Sequence, residues 1–171
     1  MFKKFYPGEY LESAYGIDFQ KLYHEGYRGI IFDIDNTLVP HGAPADDRAK
    51  ALFAALKELG YRCCLLSNNK EPRVKMFNDE VQVDYIFKAG KPKVSGYERA
   101  MELMGTTREN TLFVGDQIFT DVYGANRAGI RTILTQPIHP KEEIQIVLKR
   151  YLEKIVLFFY KRSLKNKKSK K

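Results

Sequence analysis

The chain has 171 residues, 44% of them hydrophobic, which is enough for one globular core and too little for a second domain. Its net charge of +8 is unevenly placed: Lys161 to Lys171 carries seven Lys and Arg and no acid, leaving +1 on residues 1–160. That argues against a nucleic-acid-binding body and leaves such binding as a remote alternative carried by the tail. No apolar run approaches the ~20 residues needed to cross a bilayer, and the opening MFKKFYPGEYLESAYG lacks the apolar stretch of a secretory signal, so a cytoplasmic location is expected.

In chain order, residues 1–26 form an aromatic-rich lead-in for which the pattern predicts only short helices packed on the domain. A strand is predicted at Arg28 to Asp33, within GIIFDIDNTLVP (Gly29 to Pro40), and it ends on two aspartates with one residue between them. Strand alternation turns Asp33 and Asp35 to the same side, where two like charges repel unless a cation or a reaction needs them. Periodicity then predicts a helix at Asp46 to Leu59, a strand at Arg62 to Leu66, a helix at Glu71 to Asn78 and a short strand at Tyr85 to Phe87. Next come a helix at Val94 to Met104, a strand at Thr111 to Val114, a helix at Thr120 to Ala128 and a strand at Arg131 to Leu134.

Gly60, Gly105 and Gly129 each fall just past a helical stretch, as helix terminators do. Strands alternating with helices predict an α/β fold with right-handed crossovers and a parallel sheet. The last helix is expected from Pro140 to about Arg162, with apolar residues at 144, 147, 148, 151, 152, 155, 158 and 159. The division is thus a lead-in over 1–26, a core over 27–138, and a C-terminal helix with basic tail over 139–171, all one domain. Cys63 and Cys64, adjacent in an apolar stretch, read as buried apolar residues of a reducing compartment. His24, His41 and His139 lack ligand spacing and read as structural or surface residues, and Met101, Leu103 and Met104 read as core.

Four polar clusters stand at four strand ends: Asp33 with Asp35, SNN (Ser67 to Asn69), KAGKPK (Lys88 to Lys93) and GDQIFTD (Gly115 to Asp121). In a parallel sheet these ends share one edge, so four distant segments converge on one crevice. Clustered carboxylates with a hydroxyl, a lysine and few histidines suit a hard cation such as Mg²⁺ and, with it, phosphoryl transfer. From spacing alone the lysine is Lys91, with Lys93 and Lys88 as alternatives.

In this order DIDNTLV, LLSNN, GKPK and GDQIFTD resemble the motifs of the haloacid dehalogenase (HAD) superfamily of aspartate-nucleophile phosphatases, over Arg28 to Leu134. The resemblance implies a Rossmannoid three-layer fold around a central parallel sheet. It implies Asp33 as the nucleophile, Asp35 as general acid and base, and Lys91 as the cation that neutralises both the nucleophile and the transferring group. Ser67, Asn68, Asn36 and Thr37 would bind the phosphoryl oxygens. Asp116 would complete an Mg²⁺ shell with Asp33 and the carbonyl of Asp35, Asp121 would orient the lysine or a metal-bound water, and Gly115 would allow close approach of the backbone.

Only 31 residues separate Asp35 from Ser67 and 23 separate Ser67 from Lys91, so no inserted cap domain fits and the site is expected to be open to a bulky substrate. The lead-in up to GIIFDIDNTLV, together with GDQIFTDVYGANRAGIRTILTQPI, further resembles the capless, subfamily IIIA, YqeG-type branch related to phosphatidylglycerophosphate phosphatases. That implies a phosphorylated substrate such as phosphatidylglycerophosphate and a place in phospholipid biosynthesis, with a soluble phosphorylated metabolite or nucleotide as the alternative. The apolar stripe and basic tail fit a helix lying on an anionic membrane at the inner face, or else a core-packed helix with a solvated end. The sequence leaves the oligomeric state open.

Overall fold

The structure, a computed structural model, describes residues 2–139 and 144–168. Along the chain run β1 (Glu9–Leu11), α1 (Phe19–His24), β2 (Gly29–Phe32), α2 (Asp47–Leu59), β3 (Arg62–Leu66), α3 (Glu71–Val81) and β4 (Asp84–Ile86). Then come α4 (Val94–Met104), β5 (Thr111–Gly115), a π-type turn (Ile118–Val122), α5 (Tyr123–Arg127), β6 (Arg131–Thr135) and α6 (Ile144–Lys168). The six strands form one parallel sheet in the order β1-β6-β5-β2-β3-β4.

β2 lies inside this sheet and its four residues are all buried, which explains why its sequence is continuously apolar and does not alternate. Its side chains nevertheless divide between two cores. Ile30 and Phe32 face α1, α2 and α3, where the Phe32 ring packs at 6.1 Å on Phe19 and 5.3 Å on Phe53. Ile31 faces α4 and α5 with Tyr97, Met101, Met104 and Phe113. Both cysteines are free and buried, and burial pushes the Cys63 thiol up to about 12.

Helix boundaries follow their chemistry. Asp46 caps α2 by accepting the Ala49 N–H at 2.8 Å, and Gly60 ends it at a φ of 96° with the Tyr23 hydroxyl 2.8 Å from where a Cβ would stand. The helix predicted from Thr120 begins as the wider π-type turn and continues as α5. The lead-in also differs from expectation: besides two short 3₁₀ turns and α1 it supplies β1, which pairs with β6 from Glu9 opposite Ile133 to Leu11 opposite Thr135. Three half-buried residues give too short a period to mark a strand.

The predicted start of the last helix at Pro140 lies outside the described residues; from Ile144 the helix continues to Lys168, through most of the basic segment. Its orientation inverts the core-packed reading. Glu153, Val156 and Tyr160 are buried against the body, whereas the apolar stripe turns outward, with Leu148 67% and Phe158 61% exposed. No helix among the described residues is long and apolar enough to cross a membrane.

Phe32 is both the centre of the first core and the residue before Asp33. Phe32→Ala is expected to cost about 3–5 kcal/mol of unfolding free energy, read by urea denaturation, because the cavity lies between two layers that cannot both collapse into it.

Candidate active site

Asp33 leaves the end of β2 with its N–H still bonded to Val114 O at 2.9 Å, so the ladder with β5 fixes its backbone. Its carboxylate is buried. Lys91, brought from the loop before α4, donates from Nζ to Asp33 Oδ1 at 2.6 Å and to Asp121 Oδ1 at 2.7 Å. Lys91 therefore takes the position that spacing left between three lysines; Lys88 and Lys93 are exposed. Thr37 Oγ1 lies 3.2 Å from both Asp33 Oδ2 and Asp116 Oδ1.

The π-type turn tucks Asp121 under its own strand end, where Oδ2 accepts the N–H groups of Asp116 at 3.2 Å and Gln117 at 3.1 Å. Gly115 is required here, since a Cβ would stand 2.5 Å from Asp121 Oδ2 and 2.7 Å from the Phe113 ring. Asp121 orients the lysine and the loop together.

Three carboxylates in so small a space shift one another. Burial, opposed by Lys91 and reinforced by Asp121 and Asp35, raises Asp33 to about 6. Burial and the charges of Asp33 and Asp121 push Asp116 well above the usual carboxylate range, with Arg150 pulling it back. Burial alone would lower the Lys91 ammonium, but the charges of Asp121 and Asp33 outweigh it and push its pKa up.

Above these groups a cleft of about 230 Å³ opens, and Asp33, Asp35, Ser67, Asn68 and Lys91 all line it. The Ser67 hydroxyl accepts the Asn69 N–H at 3.1 Å, and Asn68 clasps the Lys91 backbone, accepting its N–H at 2.7 Å and donating to its carbonyl at 3.2 Å. The Asp35 carboxylate turns toward α3. Arg73 donates to Oδ1 from Nη2 at 2.9 Å and Nε at 3.2 Å, the Gly42 N–H reaches the same oxygen at 2.8 Å, and Asn69 donates to Oδ2 at 2.7 Å.

Asn36 and Thr37, expected on the phosphoryl oxygens, are not on the cleft lining. Asn36 holds a left-handed φ of 61°, and its oxygens receive the N–H groups of Ile138 and His139, tying the turn that leads into the flap (residues 38–47) to the segment after β6. Thr37 sits between two carboxylates. His41, read as a surface residue, lines the cleft with Nδ1 3.9 Å from Asp35 Oδ1.

Arg150 of α6 donates from Nη1 to the Asp116 carbonyl at 2.6 Å and from Nη2 to the Asp116 carboxylate, and it pairs with Glu153 at 3.0 Å. Buried Glu153 in turn accepts the Ile118 N–H at 2.7 Å. Sequence reasoning found neither residue, nor Asn69, Arg73 or His41 as site residues. The only available signal was Glu153, the one acid of that helix, three residues after Arg150.

The oxygens of Asp33, Asp116 and Asp121 lie within 4.8 Å of one another, all buried. An all-oxygen, anionic set of this kind fits a hard divalent cation such as Mg²⁺. Lys91 already engages one oxygen each of Asp33 and Asp121, so Asp33 and Asp116 are the pair with oxygens turned to a common space at Thr37.

The comparisons with known proteins agree with this geometry. A family model described as haloacid dehalogenase-like hydrolase matches residues 41–129. A Bacillus subtilis (strain 168) protein named probable phosphatase YqeG is 37% identical over 164 residues, covering 95% of each chain. The Arabidopsis thaliana phosphatidylglycerophosphate phosphatase 1, chloroplastic/mitochondrial, is 29% identical across 87% of this chain and 45% of that protein. Among solved structures, a protein of Listeria monocytogenes serotype 4b superposes with a TM-score of 0.52 at 19% identity, over 68% of this chain and 86% of its own, which supports the fold. Since the family model spans more than half of the chain and the Bacillus relative nearly all of it, the chain belongs to the haloacid dehalogenase-like hydrolases.

Proposed function

We propose that the chain is a phosphomonoesterase that works through an aspartyl-phosphate on Asp33. The observation that carries this reading is a single carboxylate, Asp33, at the floor of an open cleft with Lys91 bonded to it and Ser67 and Asp35 on the same walls. In the first half-reaction an Asp33 oxygen attacks phosphorus and the bond to the leaving oxygen breaks, with Asp35 giving that oxygen a proton. In the second, Asp35 takes a proton from a water whose oxygen attacks the same phosphorus, so inorganic phosphate leaves and Asp33 is restored.

Ser67 and the Lys91 ammonium hold the phosphoryl oxygens, and Asp121 keeps Lys91 aimed. Arg73 and Asn69 set the direction of the Asp35 carboxylate. Held by Asp33 and Asp116, with the Asp35 carbonyl, Mg²⁺ would supply the positive charge that draws phosphoryl oxygens in.

The substrate class we favour is a lipid phosphate such as phosphatidylglycerophosphate, the chemistry named for the Arabidopsis relative. Three features support it. Among the described residues no segment is inserted over the cleft, the outward face of α6 is apolar at Leu148, Tyr151, Leu152, Ile155 and Phe158, and the same helix carries Lys154, Lys161, Arg162 and Lys165 on its exposed surface. An exposed apolar face with basic flanks matches a helix seated on an anionic membrane.

Asp33→Asn is expected to abolish phosphate release from every phosphomonoester while leaving the circular dichroism spectrum intact; turnover near wild type would remove Asp33 from the chemistry. The same variant gives a pH test. A carboxyl held near 6 in the fold, against an ordinary 3.8, binds its proton more tightly when folded. Its contribution to stability is therefore complete below about pH 4 and lost as pH rises through 6, so ionised Asp33 costs about 3 kcal/mol at neutral pH. In metal-free buffer Asp33→Asn should be more stable than wild type at pH 7.5, and urea unfolding should show the gap closing as pH falls from 6 to 4.

Removing residues 161–171 should lower co-sedimentation with phosphatidylglycerol vesicles at least several-fold, and high salt should do the same to the full chain. Equal binding by both forms would detach the basic segment from the membrane.

A further inference from the structure

The cleft over Asp33 has walls that the phosphoryl-binding set does not use. Its lining also includes Lys149 of α6, with Gln117 and Thr120 at the π-type turn. A count of charge around the cleft singles out the lysine. Lys91 is held between Asp33 and Asp121, and Asp35 is paired with Arg73, with His41 beside it. After the end of β5, Asp116 is paired with Arg150. Lys149 has no hydrogen bond or ion pair among the described residues, so no carboxylate of theirs neutralises its ammonium at the cleft wall.

The helix fixes where that charge stands. Lys149 immediately precedes Arg150, whose guanidinium bonds both the carbonyl and the carboxylate of Asp116, so the backbone that carries Lys149 is anchored next to the cleft. Thr120 donates its hydroxyl hydrogen to the Gln117 side-chain oxygen at 3.2 Å. That leaves the Gln117 amide nitrogen, which has no partner among the described residues, as a second donor on the same lining. An ammonium and an amide N–H that meet no acceptor within the described chain suit an anion. The cleft, at about 230 Å³, is smaller than the roughly 300 Å³ at which sites for drug-sized ligands begin, so it has room for a headgroup and none for acyl chains.

We propose that Lys149, assisted by Gln117, forms a second anion subsite that selects phosphomonoesters carrying a further acidic group on the same headgroup. The phosphoryl group to be cleaved lies at Asp33 and Lys91, and the further acidic group accepts from the Lys149 ammonium and the Gln117 amide. The subsite rests on the phosphatase reading above and deepens it, because charge complementarity away from the reacting atoms sets specificity and not chemistry. A phosphodiester is the lipid form of such a group and a second phosphate its soluble form.

The test compares kcat/KM for glycerol 3-phosphate, which has no further acidic group, with that for glycerophosphoglycerophosphate, a headgroup with a phosphodiester, and for propane-1,3-diol bisphosphate. In the wild type each two-anion probe should exceed glycerol 3-phosphate at least fivefold, through KM, and raised salt should shrink the preference. Lys149→Ala should abolish it, Lys149→Glu should reverse it and Lys149→Arg should restore it. Lys57→Ala, the same loss of charge on α2 away from the cleft lining, should keep it. Whichever two-anion probe loses more in Lys149→Ala identifies the source, the diester a lipid headgroup and the bisphosphate a soluble metabolite. A wild type without the preference, or a preference that survives Lys149→Ala, would overturn the subsite and return Lys149 to a solvated surface charge.

Calorimetry with the Asp33→Asn chain reads the subsite without turnover. It should bind glycerophosphoglycerophosphate at least fivefold more tightly than glycerol 3-phosphate, and adding Lys149→Ala should erase the difference. If that binding pattern appears while the wild type releases phosphate from none of the three probes nor from p-nitrophenyl phosphate, the phosphatase reading fails and the subsite stands. Equal binding of the two probes overturns the subsite alone.

Discussion

The ammonium of Lys91, set 2.6 Å from Asp33 and 2.7 Å from Asp121, is the interaction on which the site depends. Three carboxylates gathered at the ends of adjacent strands would repel one another out of the fold, and burial raises the cost of each charge. One buried cation offsets that cost for two of them and leaves Asp116 to Arg150. The same contact fixes geometry: Lys91 reaches Asp33 only because Asn68 clasps its backbone, and Asp121 meets it only because the π-type turn and Gly115 let the loop fold beneath the strand. Charge compensation and positioning are one arrangement, which makes its parts hard to vary singly.

Much of this was legible in the sequence because it is local. Strand ends carrying Asp33, Ser67, Lys91 and Gly115-Asp116 are short segments whose apolar runs mark the strand and whose polar residues mark the edge, and parallel topology brings them together without further information. Spacing kept Lys88 and Lys93 as alternatives to Lys91, and the structure buries Lys91 on Asp33 and Asp121 while the other two are exposed. β1 escaped for want of length. Asn36, expected on the phosphoryl oxygens, holds a left-handed backbone instead and turns its oxygens to the segment after β6. His41 and Arg73 meet at Asp35 from opposite sides of a flap and a helix, a juxtaposition no periodicity encodes.

α6 is the element whose orientation the sequence left open between two readings, and the reason is physical. A surface helix ordinarily turns its apolar stripe to the core and its charges to water, and the stripe at 144 to 159 fits that arrangement as well as one that faces outward. Here Arg150 and Glu153 face inward, where the buried segment after β5 offers the Asp116 carbonyl and carboxylate and the Ile118 N–H. Satisfying those backbone and acidic groups outweighs burying Leu148 or Leu152, because an unpaired buried polar group costs more than an exposed leucine forfeits. The apolar stripe is outward because the polar contacts claim the inner face first.

That inversion ties two surfaces of one helix to one site. Any force that seats or lifts the outer face of α6 acts through Arg150 on Asp116, a residue of the proposed cation pair, and through Glu153 on the turn that carries Asp121. Among the described residues only α2, β3, α3 and β4 lie between Asp35 and Lys91, so α6 reaches the site from outside the four motifs, with Arg150 on Asp116 and Lys149 on the cleft wall.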